Sequence, residues 1–175
     1  MNSTFSVDDL DLNRIVVGPL YLGMVTNILI PMALLMICYY INNNYGVTDN
    51  LEDTAQSVFI LFCALAIAEG GFAIWYRSKL FGQPMIRRRE TFEEDFTESY
   101  KARCRPLFLL IASMSIYGYL FFFLTGRFNE AVLFVVFSFL VFQIVRPRHG
   151  LVRKLAERQM AMVEQGRLMT PQQIT

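Results

Sequence analysis

Residues 57–76 read SVFILFCALAIAEGGFAIWY, twenty positions that carry a single charge, Glu69. A spanning helix needs about 20 predominantly apolar residues to cross roughly 30 Å of hydrocarbon. This stretch meets that length, so its reading decides the fold. A carboxylate in the middle of such a segment then becomes the first functional question.

Working outward, three further blocks satisfy the same length rule. The first runs from about Ile15 to Ile41, with Pro19 near its start and Pro31 in its middle. The third covers about 107–125 and is opened by Pro106, whose missing N–H costs nothing at a first helical position. The fourth is Asn129 to Val145, only a few residues (GRFN, 126–129) after the third, so the two are expected to form a tight antiparallel helical hairpin. Trp75, Tyr76, Tyr39 and Tyr40 stand at block ends, where amphipathic rings favour the interface.

Composition agrees. The chain is 54% hydrophobic and 14% aromatic with only 18% charged residues, and its mean hydropathy is +0.38. A soluble chain of 175 residues with sixteen phenylalanines would be unusual. The net charge of +1 exerts no global pull toward nucleic acid, and no nucleic-acid partner is expected. The three cysteines are widely spaced and form no CxxC, and the lone His149 leaves no zinc pattern, so neither a metal nor a cofactor is expected. The acidic start MNSTFSVDDLDLNR does not resemble a signal peptide.

Charge distribution predicts the threading. Of 16 Lys and Arg residues, eight fall in 77–105 and six from Arg146 onward, while the loop between the first two spans holds Asp49, Glu52 and Asp53 and no cation. By the positive-inside rule both termini are expected in the cytoplasm, in a bacterial inner membrane by preference over an organellar one. The expected organisation is a cytoplasmic segment 1–14, a transmembrane domain 15–146 with a cytoplasmic loop 77–105, and a cytoplasmic tail 147–175. The fold class is all-α, a polytopic membrane protein of four transmembrane helices with two short amphipathic cytoplasmic helices.

The first amphipathic helix lies in TFEEDFTESYKARCR (91–105). Thr91 and Glu94 have capping-box spacing, acids open the segment and cations close it, and Phe92, Phe96, Tyr100 and Cys104 form an apolar stripe. A bend is expected at Arg105–Pro106, and Asp95 or Glu98 is expected to pair with Lys101 or Arg103 across a turn. The second lies in the tail, where Val152, Leu155 and Met162, flanked by Leu151 and Val163, make one apolar side and Gly166 the stop. Two roles are open for it: lying on the inner leaflet or docking a partner subunit. Candidate contacts to lipid headgroups or a partner are Arg87, Arg88, Arg89, Arg146, Arg148 and Arg153. The terminal LMTPQQIT is expected to be disordered.

Glu69 lies seven residues, or roughly 10 Å, from Tyr76, too far for a short carboxylate to snorkel. Ala66, Gly70 and Ala73 share its side of the helix, which marks a packing face. Phe59, Ile67 and Ile74 lie on other sides and are expected to meet lipid. At the depth of Glu69 the expected partners are Tyr21 and Ser113, with Ser138 a little deeper, and each offers a hydroxyl. Asn27 is expected to satisfy a carbonyl freed by Pro31. With no cation at its depth, the neutral acid is favoured. A structural interhelical hydrogen bond is preferred over proton or cation handling.

No nucleotide-binding, zinc-protease or serine-hydrolase motif occurs, so no catalytic residue is named. The expected function is a non-catalytic integral-membrane subunit or assembly factor of a larger complex, with the lipid bilayer and protein partners, or a second copy of itself, as its contacts. The alternative is a small ion- or proton-coupled transporter or channel using Glu69. A lipid-modifying enzyme ranks third.

Overall fold

In the computed structural model, residues 10–45 and 54–169 are described. They are all-helical, and four helices are long and apolar enough to cross a membrane. The acidic loop with Asp49, Glu52 and Asp53, most of the N-terminal segment and residues 170–175 of the expected disordered end lie outside the described residues.

The first span is one continuous run, α1 (Leu12–Met24), a π-helical turn (Val25–Leu29) and α2 (Ile30–Asn44). The widened turn follows from Pro31. Proline has no N–H to donate back along the helix, and here the Ile30 N–H reaches the Val25 carbonyl, five residues back. Two side chains bind carbonyls just below the break: Thr26 Oγ1 donates to Leu22 at 2.9 Å, and Asn27 Nδ2 to Gly23 at 3.2 Å.

The remaining helices are α3 (Ala55–Gly82), α4 (Phe92–Thr125), α5 (Phe128–Val145) and α6 (His149–Glu164). The hairpin between α4 and α5 turns at Gly126, whose φ of 69° suits glycine and whose N–H caps the Phe122 carbonyl at 2.8 Å. This hairpin is the centre of the molecule. α3 packs along it through both α4 and α5, and α1, the π turn and α2 pack along it elsewhere.

At 34 residues α4 is about 51 Å long, well beyond the hydrocarbon thickness. It therefore absorbs the expected amphipathic helix: residues 92–105 and the third span form one helix that runs through Pro106 without a break. The proline removes the donor for the Ala102 carbonyl, but Ala102 is exposed, so that carbonyl lies on an open face of the helix. On the opposite face the stripe Phe92, Phe96, Tyr100 and Cys104 runs on into Leu107, Phe108 and Ile111, all buried, and this packing holds the helix together. Phe92, Phe96 and Tyr100 stack successively, and Phe81 of α3 meets Tyr100 at 5.3 Å.

The segment between α3 and α4 is pinned from three sides. Met85 and Ile86 are fully buried. Ser99 Oγ donates to the Met85 carbonyl at 2.8 Å, and the Met85 N–H donates to Gln159 Oε1 of α6 at 2.9 Å. Asp95 accepts the N–H groups of Arg87 and Arg88 at 2.9 and 3.1 Å and the Thr91 hydroxyl at 3.1 Å. Arg103 donates to the carbonyls of Leu80, Gln83 (3.2 Å) and Pro84 (2.7 Å).

These contacts correct two expectations and bear on a third. Thr91 does not cap α4 with its side chain; its hydroxyl serves Asp95 instead. Asp95 clasps the preceding loop and Arg103 the end of α3, because unpaired backbone groups there are nearer than an opposite charge one turn away. On α6, Val152, Ala156 and Gln159 are buried within the chain and the helix packs against α1, so part of its apolar side is used inside the molecule, while Leu155, Met162 and Val163 are half-buried. Leu151, one of its expected apolar flanks, is 42% exposed. Met169, at the start of the terminal LMTPQQIT, donates its N–H to the Ile86 carbonyl at 2.8 Å.

Candidate functional site

A polar cluster inside the spans is built on α3, where Ala66, Gly70 and Ala73 are buried and Glu69 is half-buried beside them. The small side chains let α3 close on α5: a Cβ added at Gly70 would lie 3.3 Å from Val141. Glu69 then faces α4, and its carboxyl oxygen Oε1 is hydrogen-bonded to Ser113 Oγ. Ser113 Oγ also lies 2.6 Å from the Leu110 carbonyl of its own helix. Tyr117, one turn further along, lies near the same carboxyl and is covered by Phe62 at a ring distance of 5.7 Å. The second oxygen, Oε2, is buried without a hydrogen-bond partner.

The structure separates the other residues expected around Glu69. Tyr21 is 72% exposed and lines an apolar groove on the first span with Met24, Met32 and Met36. Ser138 Oγ donates to the Ile111 carbonyl at 2.8 Å, fixing α5 against α4 rather than reaching the acid. Asn27 binds Gly23 and, at 2.9 Å, Thr26 Oγ1. It covers a carbonyl one turn below the break; the carbonyl of Pro31 itself accepts the Tyr119 hydroxyl at 2.7 Å. Phe59, expected to meet lipid, packs against Phe121 and Phe134 at 5.5 and 5.7 Å, because α3 needs apolar bulk where its small-residue face ends. Ile67 and Ile74 are exposed.

Asn27 and Ser138, with Ser115, are the other polar side chains buried within the spans that bear on the site. The three are 1%, 0% and 2% exposed, on three different helical runs. Asn27 Oδ1 and Ser115 Oγ are both buried without a hydrogen-bond partner. Matching depth to Glu69 alone passes over Ser115 and Tyr117. The signal for them is present in SMSIYGY (113–119): Tyr117 is four residues after Ser113, and Ser115 four before Tyr119.

The six arginines do not converge. Arg87, Arg88 and Arg89 are exposed. Arg148 donates to the Gln143 carbonyl at 3.0 Å, Arg153 pairs with Glu157 at 3.3 Å, and Arg146 buries its Nε without a hydrogen-bond partner. Among the described residues no group of three His, Cys, Asp or Glu side chains could hold a metal, and the three cysteines are free. Comparison with family models, with curated proteins and with solved structures finds no match.

Proposed function

We propose that the protein is a non-catalytic integral-membrane subunit or accessory factor of a larger membrane complex. The observation that carries this reading is the uneven burial of its spans. The most apolar windows of α4 and α5 are 44% and 39% buried inside the chain, against 22% for α1–α2 and 17% for α3. Two long helices thus leave most of their surface for something outside the chain, protein or lipid. Glu69 fits the same reading, since Ser113 ties it into the seam between α3 and α4. Fourteen of the sixteen cations fall on one side of the spans, which supports a cytoplasmic placement of both ends; the proposed setting is a bacterial inner membrane. The exposed Arg87, Arg88 and Arg89 on that side suit anionic headgroups or an acidic partner surface.

The second reading is a small proton- or cation-coupled transporter, favoured by the partnerless Oε2 of Glu69. Native mass spectrometry of the protein taken from its source membrane in mild detergent, paired with flux measurements in liposomes holding this chain alone, separates the two. The expected result is a stoichiometric protein partner, or a defined homo-oligomer, and no flux. Proton or cation flux that Glu69→Gln abolishes and Cys63→Ala leaves intact would replace the first reading with the second.

A further inference from the structure

The side chains of Asn27, Ser115 and Ser138 lie near one level of the bundle. Gly23 packs against the rings of Phe108 and Phe142, and Tyr119 reaches the Pro31 carbonyl, so the first span and α4 run in the same direction. One turn before that hydrogen bond stand Asn27 on the first span and Ser115 on α4. α5 runs the opposite way, so the residue one turn before Phe142 returns to the same level, and that residue is Ser138. Three hydrogen-bonding side chains, each nearly or wholly buried, therefore lie near one level on three helical runs that pack against one another.

Their hydrogen bonds do not close on themselves. Asn27 commits its amide hydrogens to Gly23 and Thr26, leaving Oδ1 as an acceptor. Ser138 commits its one hydrogen to Ile111 and keeps lone pairs to accept with. Ser115 has a hydrogen to give and no partner to take it. The π turn adds a further acceptor. The Ile30 N–H serves Val25, and Pro31 has no N–H, so the Thr26 carbonyl is left without its usual donors on the same turn. Buried polar groups are almost always satisfied by protein or by ordered water.

We propose that Asn27, Ser115 and Ser138 form a binding site for one buried water molecule. The water accepts the Ser115 O–H and donates one hydrogen to Asn27 Oδ1 and the other to Ser138 Oγ. That balance of one acceptance and two donations matches the roughly three hydrogen bonds of a typical buried water. A monovalent cation is the competing guest, but it leaves the Ser115 hydrogen unused. The site is independent of Glu69 and of either functional reading. It would solvate the break in the first span, where freed backbone groups need a partner within the protein.

The test is proton-detected solid-state NMR on the full chain in lipid bilayers, with magnetisation transferred from water. The expected result is transfer to the Asn27 side-chain amide and the Ser115 backbone amide, above that at the buried neighbours Ile111 and Met114. Asn27→Leu, which keeps the branched shape without the polar atoms, should abolish the transfer at Ser115. Ser115→Ala, a smaller change, should reduce transfer at Asn27 several-fold and guards against a folding failure of the first variant. No excess transfer at this level overturns the proposal, since the side chains must then bond one another directly. Transfer or thermal stability that depends on sodium, and is lost when choline replaces it, also overturns it in favour of a cation.

Discussion

Gly118 of α4 lies so close to Ala131 of α5 that a methyl group added to it would come within 2.6 Å of the Ala131 carbonyl oxygen. Backbone cannot yield as a side-chain tip can, so Gly118→Ala must push the two helices apart. The seam includes Phe121, Phe134 and Ser138, all buried, so the displacement is felt along it. The expected loss is about 1–3 kcal/mol, read as a lower melting temperature in detergent. Gly71→Ala is the control, because nothing lies within 4 Å of its added methyl. It should leave the melting temperature unchanged or slightly raised.

Arg103 closes α3 by donating to three carbonyls at its end and just beyond. A lysine can reach one or two of them but cannot reproduce the planar fork. Arg103→Lys should therefore loosen residues 80–86, and Arg103→Met more so, since it takes this donor from the Leu80 and Pro84 carbonyls and leaves Gln83 with Gln159 alone. The expected cost for the methionine variant is on the order of 2 kcal/mol. Hydrogen exchange should rise in 80–86 and proteolysis in 83–91, while the far ends of α4 and α5, around Gly126, remain as protected as before.

Gln159 works in both directions at the same segment, accepting from the Met85 N–H at 2.9 Å and donating to the Gln83 carbonyl at 3.1 Å. Gln159 is 1% exposed and Met85 fully buried, so the Met85 N–H has no water as a substitute. Gln159→Ala should cost about 1–3 kcal/mol through the unpaired N–H. Hydrogen exchange should increase together in 83–86 and 149–164, because α6 loses its polar attachment. Gln159→Glu keeps the acceptor but, when ionised, sets a negative charge against the Gln83 carbonyl. It should be less stable than the parent at neutral pH and recover as the pH falls and the acid gains a hydrogen to donate.

The spans and their order are legible in the sequence because a bilayer imposes a length on every apolar block, and four blocks meet it. The π turn is not, since Pro31 requires only that some helical bond be lost, and several local geometries satisfy that. The unbroken α4 is missed for a related reason. Pro106 suits a helix start, and only the burial of Cys104, Leu107 and Phe108 on one face shows why the helix continues through it. Depth brings Ser113 to Glu69 but cannot exclude Tyr21 or Ser138, because depth says nothing about which helices are neighbours. The tail helix is recognisable from its apolar spacing, yet its partner is the buried loop around Met85, and Gln159, a polar residue at its centre, carries no hydrophobic signal at all.

The Glu69–Ser113 contact gives a testable count of hydrogens. Ser113 has one hydroxyl hydrogen and two oxygen neighbours, Glu69 Oε1 and the Leu110 carbonyl at 2.6 Å. A carboxylate makes both of them acceptors, and one contact is then left without a hydrogen. A neutral acid would serve both contacts, with Glu69 donating to Ser113 and Ser113 to Leu110, and this is the arrangement the following measurements test. Infrared spectra of the protein in bilayers at neutral pH should show a protonated carboxylic acid band that Glu69→Gln removes. Ser113→Ala should shift that band to higher frequency as the acid loses its acceptor, and should lower stability by about 0.6–1.7 kcal/mol, the range for polar contacts between spanning helices. Glu69→Gln should be milder, because its amide can donate to Ser113 in place of the acid. An ionised carboxylate signal that disappears in Glu69→Gln would contradict the proton count, leaving Ser113 as donor to Glu69 and the Leu110 carbonyl to its helical partner alone.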